Sequence, residues 1–240
     1  MPSLETFRHR ELKRLALAWV GEAGFKAAAV EVSLPSFGAV VDVAAYRAQR
    51  RGKSPHPGAT AIFECKQARS DFLTDSRRSE RLLAHLERLH VRRARIEEVL
   101  RLHYPHLRNG DSLFAEYETH DFPASGDELY LRVLRDVATL SRQLHRQTKF
   151  EELSRRGAAN LMYVVAEPNV VRAHELPDGW GLLVREGEAL ALAVKPVWRE
   201  VAACQRLHLL QRIAMSGTRA VHREHGVVIS DLRRARSENP

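Results

Sequence analysis

The hydrophobic period changes along this chain, and that change limits the folds open to it. Three runs rich in β-branched residues, 28–34, 39–46 and 60–66, follow one another closely. Pro35 ends the first, and a basic stretch with Gly and Pro (47–58) parts the other two. Runs of this length bounded by turn residues read as neighbouring strands of a meander. On either side the period is helical. Leu4, Phe7, Leu12, Leu15, Trp19 and Val20 give residues 4–23 one apolar face, with Pro2 and Ser3 ahead of it, Glu5 in its first turn and Gly24 behind it. Ser70 is a candidate N-cap, with Asp71 and Asp75 in the turn that follows. Residues 77–102 then carry Leu82, Leu83, Leu86, Leu89, Ile96, Val99 and Leu100 at helical spacing, until Pro105 and Asn109-Gly110 break the run. A second long helix is predicted over 129–153. Strand character returns at 161–165, a hairpin around Gly187 joins 181–184 to 189–194, and a last helix spans 198–215.

This order predicts an α/β fold: a mixed central sheet flanked by helices, with a large helical insertion. Residues 1–79 and 158–200 form the core, 80–157 the insertion, and 201–240 a C-terminal helix and tail. DNA clamp, dimerisation arm and lid are the roles open to the insertion, and the second of them implies a homodimer.

The 38 Lys and Arg residues against 30 Asp and Glu leave a net charge of +8, so an acidic polymer such as a nucleic acid suits the chain better than a cationic ligand. Ribosomal contacts and anionic membranes attract the same balance. The two cysteines, Cys65 and Cys204, make no disulfide framework, which points to a reducing cytoplasm. No apolar run approaches the roughly 18 residues of a membrane span, and the N-terminus lacks a signal-peptide design.

The chemistry lies on the second and third predicted strands. Asp42 sits in Ala39-Val-Val-Asp-Val43, and Glu64 and Lys66 in Ile62-Phe-Glu-Cys-Lys66. Side chains alternate along a strand, so Glu64 and Lys66 share a face. If the two strands are neighbours, Asp42 lies beside Glu64. Two adjacent carboxylates repel each other, and a divalent cation relieves that repulsion; hard oxygen donors suit Mg2+ or Mn2+. With Lys66 beside it, such a site is equipped for phosphodiester hydrolysis by water.

The pattern resembles the PD-(D/E)XK nuclease superfamily. Within it, Glu-Cys-Lys-Gln-Ala-Arg-Ser-Asp-Phe-Leu-Thr-Asp (64–75), Asn-Leu-Met-Tyr-Val-Val (160–165) and Glu-Leu-Pro-Asp-Gly-Trp-Gly-Leu-Leu (175–183) are similar to MmcB-like DNA-repair proteins. The resemblance covers about residues 8–79 and 158–198. It implies a restriction-endonuclease-like sheet and a magnesium-dependent deoxyribonuclease acting in repair or in defence against foreign DNA, with products that carry a 5′-phosphate. It implies Asp42, Glu64 and the Cys65 carbonyl as metal ligands and Lys66 as the catalytic lysine. Gln67 would help position the site, and Glu11 is the counterpart of a first-helix acid found in some branches. Val41 stands where the superfamily name has proline.

Each feature also has a plainer reading. A lone Glu-x-Lys triplet is a salt pair on a half-exposed strand. Ser70, Asp71 and Asp75 are explained by helix capping. Trp180, between Gly179 and Gly181, reads as a buried anchor rather than a base-stacking platform. His103 with His106, His222 with His225, and Cys204 with His208 have zinc-compatible spacing but no second ligand pair. Arg77, Arg78, Arg81, Arg88 and Arg92 either follow a DNA backbone or belong to a solvated face, because Glu80, Glu87, Glu97 and Glu98 interleave with them. The alternative to an enzyme is a non-catalytic DNA-binding or scaffold module on the same fold; a structural RNA-associated protein is a third reading.

Overall fold

The computed structural model describes residues 6–51, 54–72, 76–109, 119–145 and 148–227. Two compact units are present: one holds 1–72, 152–171 and 179–240, the other 73–151 and 172–178.

In the first unit, helix α1 spans Phe7–Glu22. The Thr6 hydroxyl caps it by accepting a hydrogen bond from the His9 amide, which places the start later than the apolar pattern suggested. The meander follows as β1 (Ala27–Leu34), β2 (Ala39–Arg51) and β3 (Ser54–Lys66). The basic stretch expected to be a turn is the arm of a hairpin, whose pairing runs on to Arg51 opposite Ser54. Its register slips between Arg47 and Gln49, and Gly58 makes the slip possible. A Cβ at position 58 would lie 1.9 Å from the Arg47 carbonyl oxygen, so only glycine fits.

Among the described residues, strands β4 (Arg108–Asn109) and β5 (Thr119–His120) pair only with each other. The main sheet is completed by β6 (Leu161–Ala166), β7 (Gly181–Glu186) and β8 (Ala189–Val194). Its order is β1-β2-β3-β6-β7-β8, with β6 parallel to β3, β7 parallel to β6, and the other neighbours antiparallel. Leu12, Ala16 and Val20 of α1 pack on Val43, Ala45, Ala61, Phe63, Cys65, Tyr163, Val165 and Leu183. Trp180 is buried and its indole N–H donates to the Ser154 hydroxyl at 2.7 Å, the anchor role expected of it.

The last helix, α6, covers Ala203–Glu224 rather than 198–215. Residues 197–199 stay extended because the Val197 and Arg199 amides bond to the carbonyls of Gly179 and Asn160. Leu34 lines a pocket with Leu209 and Arg212 of α6, while Ala28 and Val30 pack in the α1 cluster. The two helices therefore cover opposite faces of β1. The C-terminal helix, set apart in the sequence reading, belongs to this first unit.

The short helix α2 (Arg69–Phe72) leads out of the first unit. In the second unit, α3 (Ser76–His103) and α4 (Glu128–Leu144) share a core of Leu86, Leu89, Val133 and Val137. Where one helix was expected over 129–153 there are two, α4 and α5 (Lys149–Arg155). His145 ends α4 because its buried ring turns away to bond the Glu175 carbonyl at 2.8 Å. Thr148 then starts α5, its hydroxyl accepting from the Glu151 amide. No helix among the described residues is long and apolar enough to cross a membrane.

Burial pushes the His145 imidazole down to about 4, against the pull of the Glu175 carbonyl and of the Glu151 and Glu175 carboxylates. Above pH 6.5 the ring is neutral whether the chain is folded or not. As pH falls below that, the unfolded chain takes up the proton first, so stability falls until about pH 4. The total loss is about 3 kcal/mol. Thermal unfolding between pH 7.5 and 4 is expected to show this slope, and His145→Gln to flatten it; superimposable curves would refute the assignment.

Candidate functional site

The ladder between β2 and β3 begins with Val43 opposite Phe63. One step further along each strand stand Asp42 and Glu64, which the ladder does not pair. There the ladder has given way to a different bond: the Cys65 amide donates to Asp42 Oδ2 at 2.7 Å. On the other side, the pairs Val30–Val43 and Val32–Val41 bracket Glu31 opposite Asp42. Glu31, Asp42 and Glu64 thus belong to three adjacent strands.

Glu31 has φ +50°, the left-handed region, which costs a side-chain-bearing residue about 1–2 kcal/mol. Its effect is visible in the burial of β1. Ala29 is buried, then Val32 and Leu34, so the alternation slips by one residue at Glu31. The slip turns the Glu31 carboxylate towards α1, together with Val30.

Two side chains of α1, one turn apart, meet these acids. His9 Nε2 lies 3.1 Å from Asp42 Oδ1. Lys13 Nζ lies 3.1 Å from Glu31 Oε1 and 3.6 Å from Asp42 Oδ1, with its side chain only 9% exposed. Burial alone pushes the Asp42 carboxyl up. The hydrogen bonds from His9 and from the Cys65 amide, with the positive charge of His9 and Lys13, outweigh it and hold Asp42 below the ordinary aspartate range. Glu64 is buried, with 2% exposure, and Lys66 is half-buried.

Cys65 locates the charges around it. Burial, then Asp42 and Glu64, push its thiol well up, against a weaker downward pull from Lys13 and Lys66. All four charged groups act electrostatically on this one thiol. A thiol held protonated in this way is no nucleophile, and its side chain serves the α1 core.

Gln67 accepts a hydrogen bond from the Thr6 hydroxyl, which ties the start of α1 to the end of β3. Glu11 is engaged elsewhere. The Arg14 guanidinium, hydrogen-bonded to both its oxygens, holds its carboxyl below the usual range, and Arg14 also reaches Glu188 in the β7–β8 turn. Arg81, Arg88 and Arg92 are exposed on α3 in the second unit. Arg77 and Arg78 fall in its first turn, where their side chains lie outside the described residues, as do Asp75 and the tail from 228 onward.

A solved structure of a protein of unknown function from Silicibacter pomeroyi is similar to the chain. The two are 15% identical with a TM-score of 0.46, over 91% of this chain and 92% of that one. No protein-family model and no curated protein matches.

His9, Lys13 and Glu31 escaped the sequence reading. Lys13 carries a signal that could have found it: a cation beside Leu12 and near Leu15 and Ala16, on the helix face that is otherwise apolar. Glu31 carries half of one, since it interrupts Val30 and Val32, but nothing in the sequence marks its left-handed backbone.

Among the described residues, no group of three or more His, Cys, Asp and Glu side chains is disposed to hold a metal ion. The expected set needs only two such side chains, Asp42 and Glu64, plus the Cys65 carbonyl. Its donor chemistry fits a hard divalent cation: all its donors are oxygens, one from a carboxylate held below the usual range and one from a buried glutamate.

Proposed function

We propose that the chain is a metal-dependent nuclease that hydrolyses DNA phosphodiester bonds, a member of the PD-(D/E)XK superfamily with the restriction-endonuclease-like fold. The observation that carries this reading is that Asp42 on β2 and Glu64 on β3 come directly after the paired Val43 and Phe63, with Lys66 two residues on. The succession of α1, three antiparallel strands, helices, and a strand parallel to β3 supports it.

Asp42 and Glu64 would hold Mg2+ or Mn2+, with the Cys65 carbonyl as a third donor. When bound, the cation polarises the phosphoryl group and eases deprotonation of water. The protein's own parts do the rest. The Cys65 amide and His9 orient the Asp42 carboxylate. Gln67 holds Thr6, and through it the turn of α1 that carries His9. Lys66 places a positive charge where negative charge grows on the phosphoryl oxygens in the transition state. The net positive charge draws the polyanion in, and exposed Arg81, Arg88 and Arg92 serve as backbone contacts.

A panel of double-stranded, single-stranded and branched DNA, with an RNA control, tests the reading. Cleavage is expected with Mg2+ or Mn2+ and none in EDTA. A protein that shifts DNA in a gel with strongly salt-dependent affinity, yet leaves it whole under every metal condition, is a binding module and not an enzyme. A preference for RNA that ignores Asp42 points to the RNA-associated reading instead.

A further inference from the structure

We propose that Glu31 is a positioning residue for the cation site and that it acts through Lys13. Without metal, Lys13 is shared between Glu31 and Asp42. When a divalent cation occupies Asp42 and Glu64, Lys13 withdraws to Glu31, which takes over its charge. The inference rests on the metal reading of Asp42 and Glu64 given above.

Three observations converge on it. The first is the shared ammonium itself. Lys13 is nearly buried, and it already stands closer to Glu31, at 3.1 Å, than to Asp42, at 3.6 Å. A second cation arriving at Asp42 meets a like charge within ion-pair reach, and that repulsion is relieved only if Lys13 has somewhere else to go. The second is the arrangement of strands. Strand β1, which carries Glu31, lies across β2 from β3, so an ammonium moving onto Glu31 moves away from the strand that carries Glu64. The third is the strained backbone. A glutamate in the left-handed region, in the middle of a strand, is retained against its conformational cost. No apolar packing explains it, because the Glu31 side chain is 51% exposed. What the conformation achieves is the slip that carries the carboxylate to Lys13.

The alternative is that Glu31 merely adds one negative charge near the metal. The two differ in whether Glu31 matters once Lys13 is gone. Mn2+ titrations of the full chain by calorimetry, without nucleic acid, decide between them. Glu31→Gln is expected to weaken Mn2+ binding about tenfold, because Lys13 then stays on Asp42. In a Lys13→Met background the same change is expected to alter affinity less than about twofold. Equal weakening in both backgrounds overturns the proposal, and so does no weakening in the wild-type background. Lys13→Gln replaces Lys13→Met in the cycle if the methionine protein does not fold.

Glu31→Asn supplies a readout that a structural role would not move. Asparagine tolerates the left-handed backbone, so this variant is expected to melt no lower than wild type and still to bind Mn2+ as weakly as Glu31→Gln. Wild-type affinity in Glu31→Asn overturns the proposal. Wild-type protein that binds no Mn2+ at all removes the metal reading itself. Metal binding that ignores Glu31 removes only the role assigned to Glu31.

Discussion

Glu64→Gln is expected to lower Mg2+-dependent DNA cleavage by at least about a thousandfold, some 4 kcal/mol of transition-state stabilisation, while the fold survives. The reasoning is that of a buried charge. Glu64 is almost wholly shielded from water, where an ionised carboxylate pays heavily for lost solvation. The amide keeps the volume of the side chain, so the fold is expected to survive the change. The cation loses one of its two anionic side-chain donors. Lys66→Ala is expected to separate the two functions of the site, slowing cleavage by several orders of magnitude while Mn2+ binding survives. Single-turnover cleavage beside a metal titration and a melting curve reads all three quantities. Cleavage by Glu64→Gln within tenfold of wild type would take that residue out of the mechanism.

The second large effect concerns the residue just before Glu64. Phe63→Ala is expected to cost about 3–5 kcal/mol of stability. Phe63 is fully buried. Its ring stacks on Tyr163 with centroids 4.9 Å apart and planes within 5°, and Trp19 meets it edge-on at 6.0 Å. Helix α1, β3 and β6 therefore meet at this ring, and the alanine leaves a hole that three separate elements would have to close. Urea unfolding followed by circular dichroism measures the loss, and a value under about 1 kcal/mol would show that the cluster repacks freely. Because α1 also carries His9 and Lys13, a loosened cluster is expected to weaken Mn2+ binding too.

Much of this was legible because it is local. The strands around Val43 and Ile62 announce themselves by β-branched residues, and the pairing that brings Val43 opposite Phe63 follows once two such runs are taken as neighbours. The limits of α1, α4 and α6 were less legible, because they are set by particular hydrogen bonds: Thr6 to the His9 amide, His145 to the Glu175 carbonyl, Arg199 to the Asn160 carbonyl. The last two join residues distant in sequence, which no periodicity encodes. The basic stretch 47–58 read as a turn from its Gly and Pro content, yet Gly58 is what lets two strands pass closely. At the site, Asp42 and Glu64 could be found, and Glu31 on β1 with His9 and Lys13 on α1 could not. The contact between Lys13 and Glu31 accompanies a Glu31 backbone conformation that its side chain disfavours.

The parallel pairing of β3 with β6 also governs the order in which the molecule can form. During synthesis the β1–β2–β3 meander is complete once residue 66 has emerged, but its outer edge has no neighbour until residues 161–166 are made. Everything from 67 to 160 must be translated while a strand of unsatisfied amides and carbonyls waits, and that interval is when a nascent chain of this kind is most exposed to pairing with another copy.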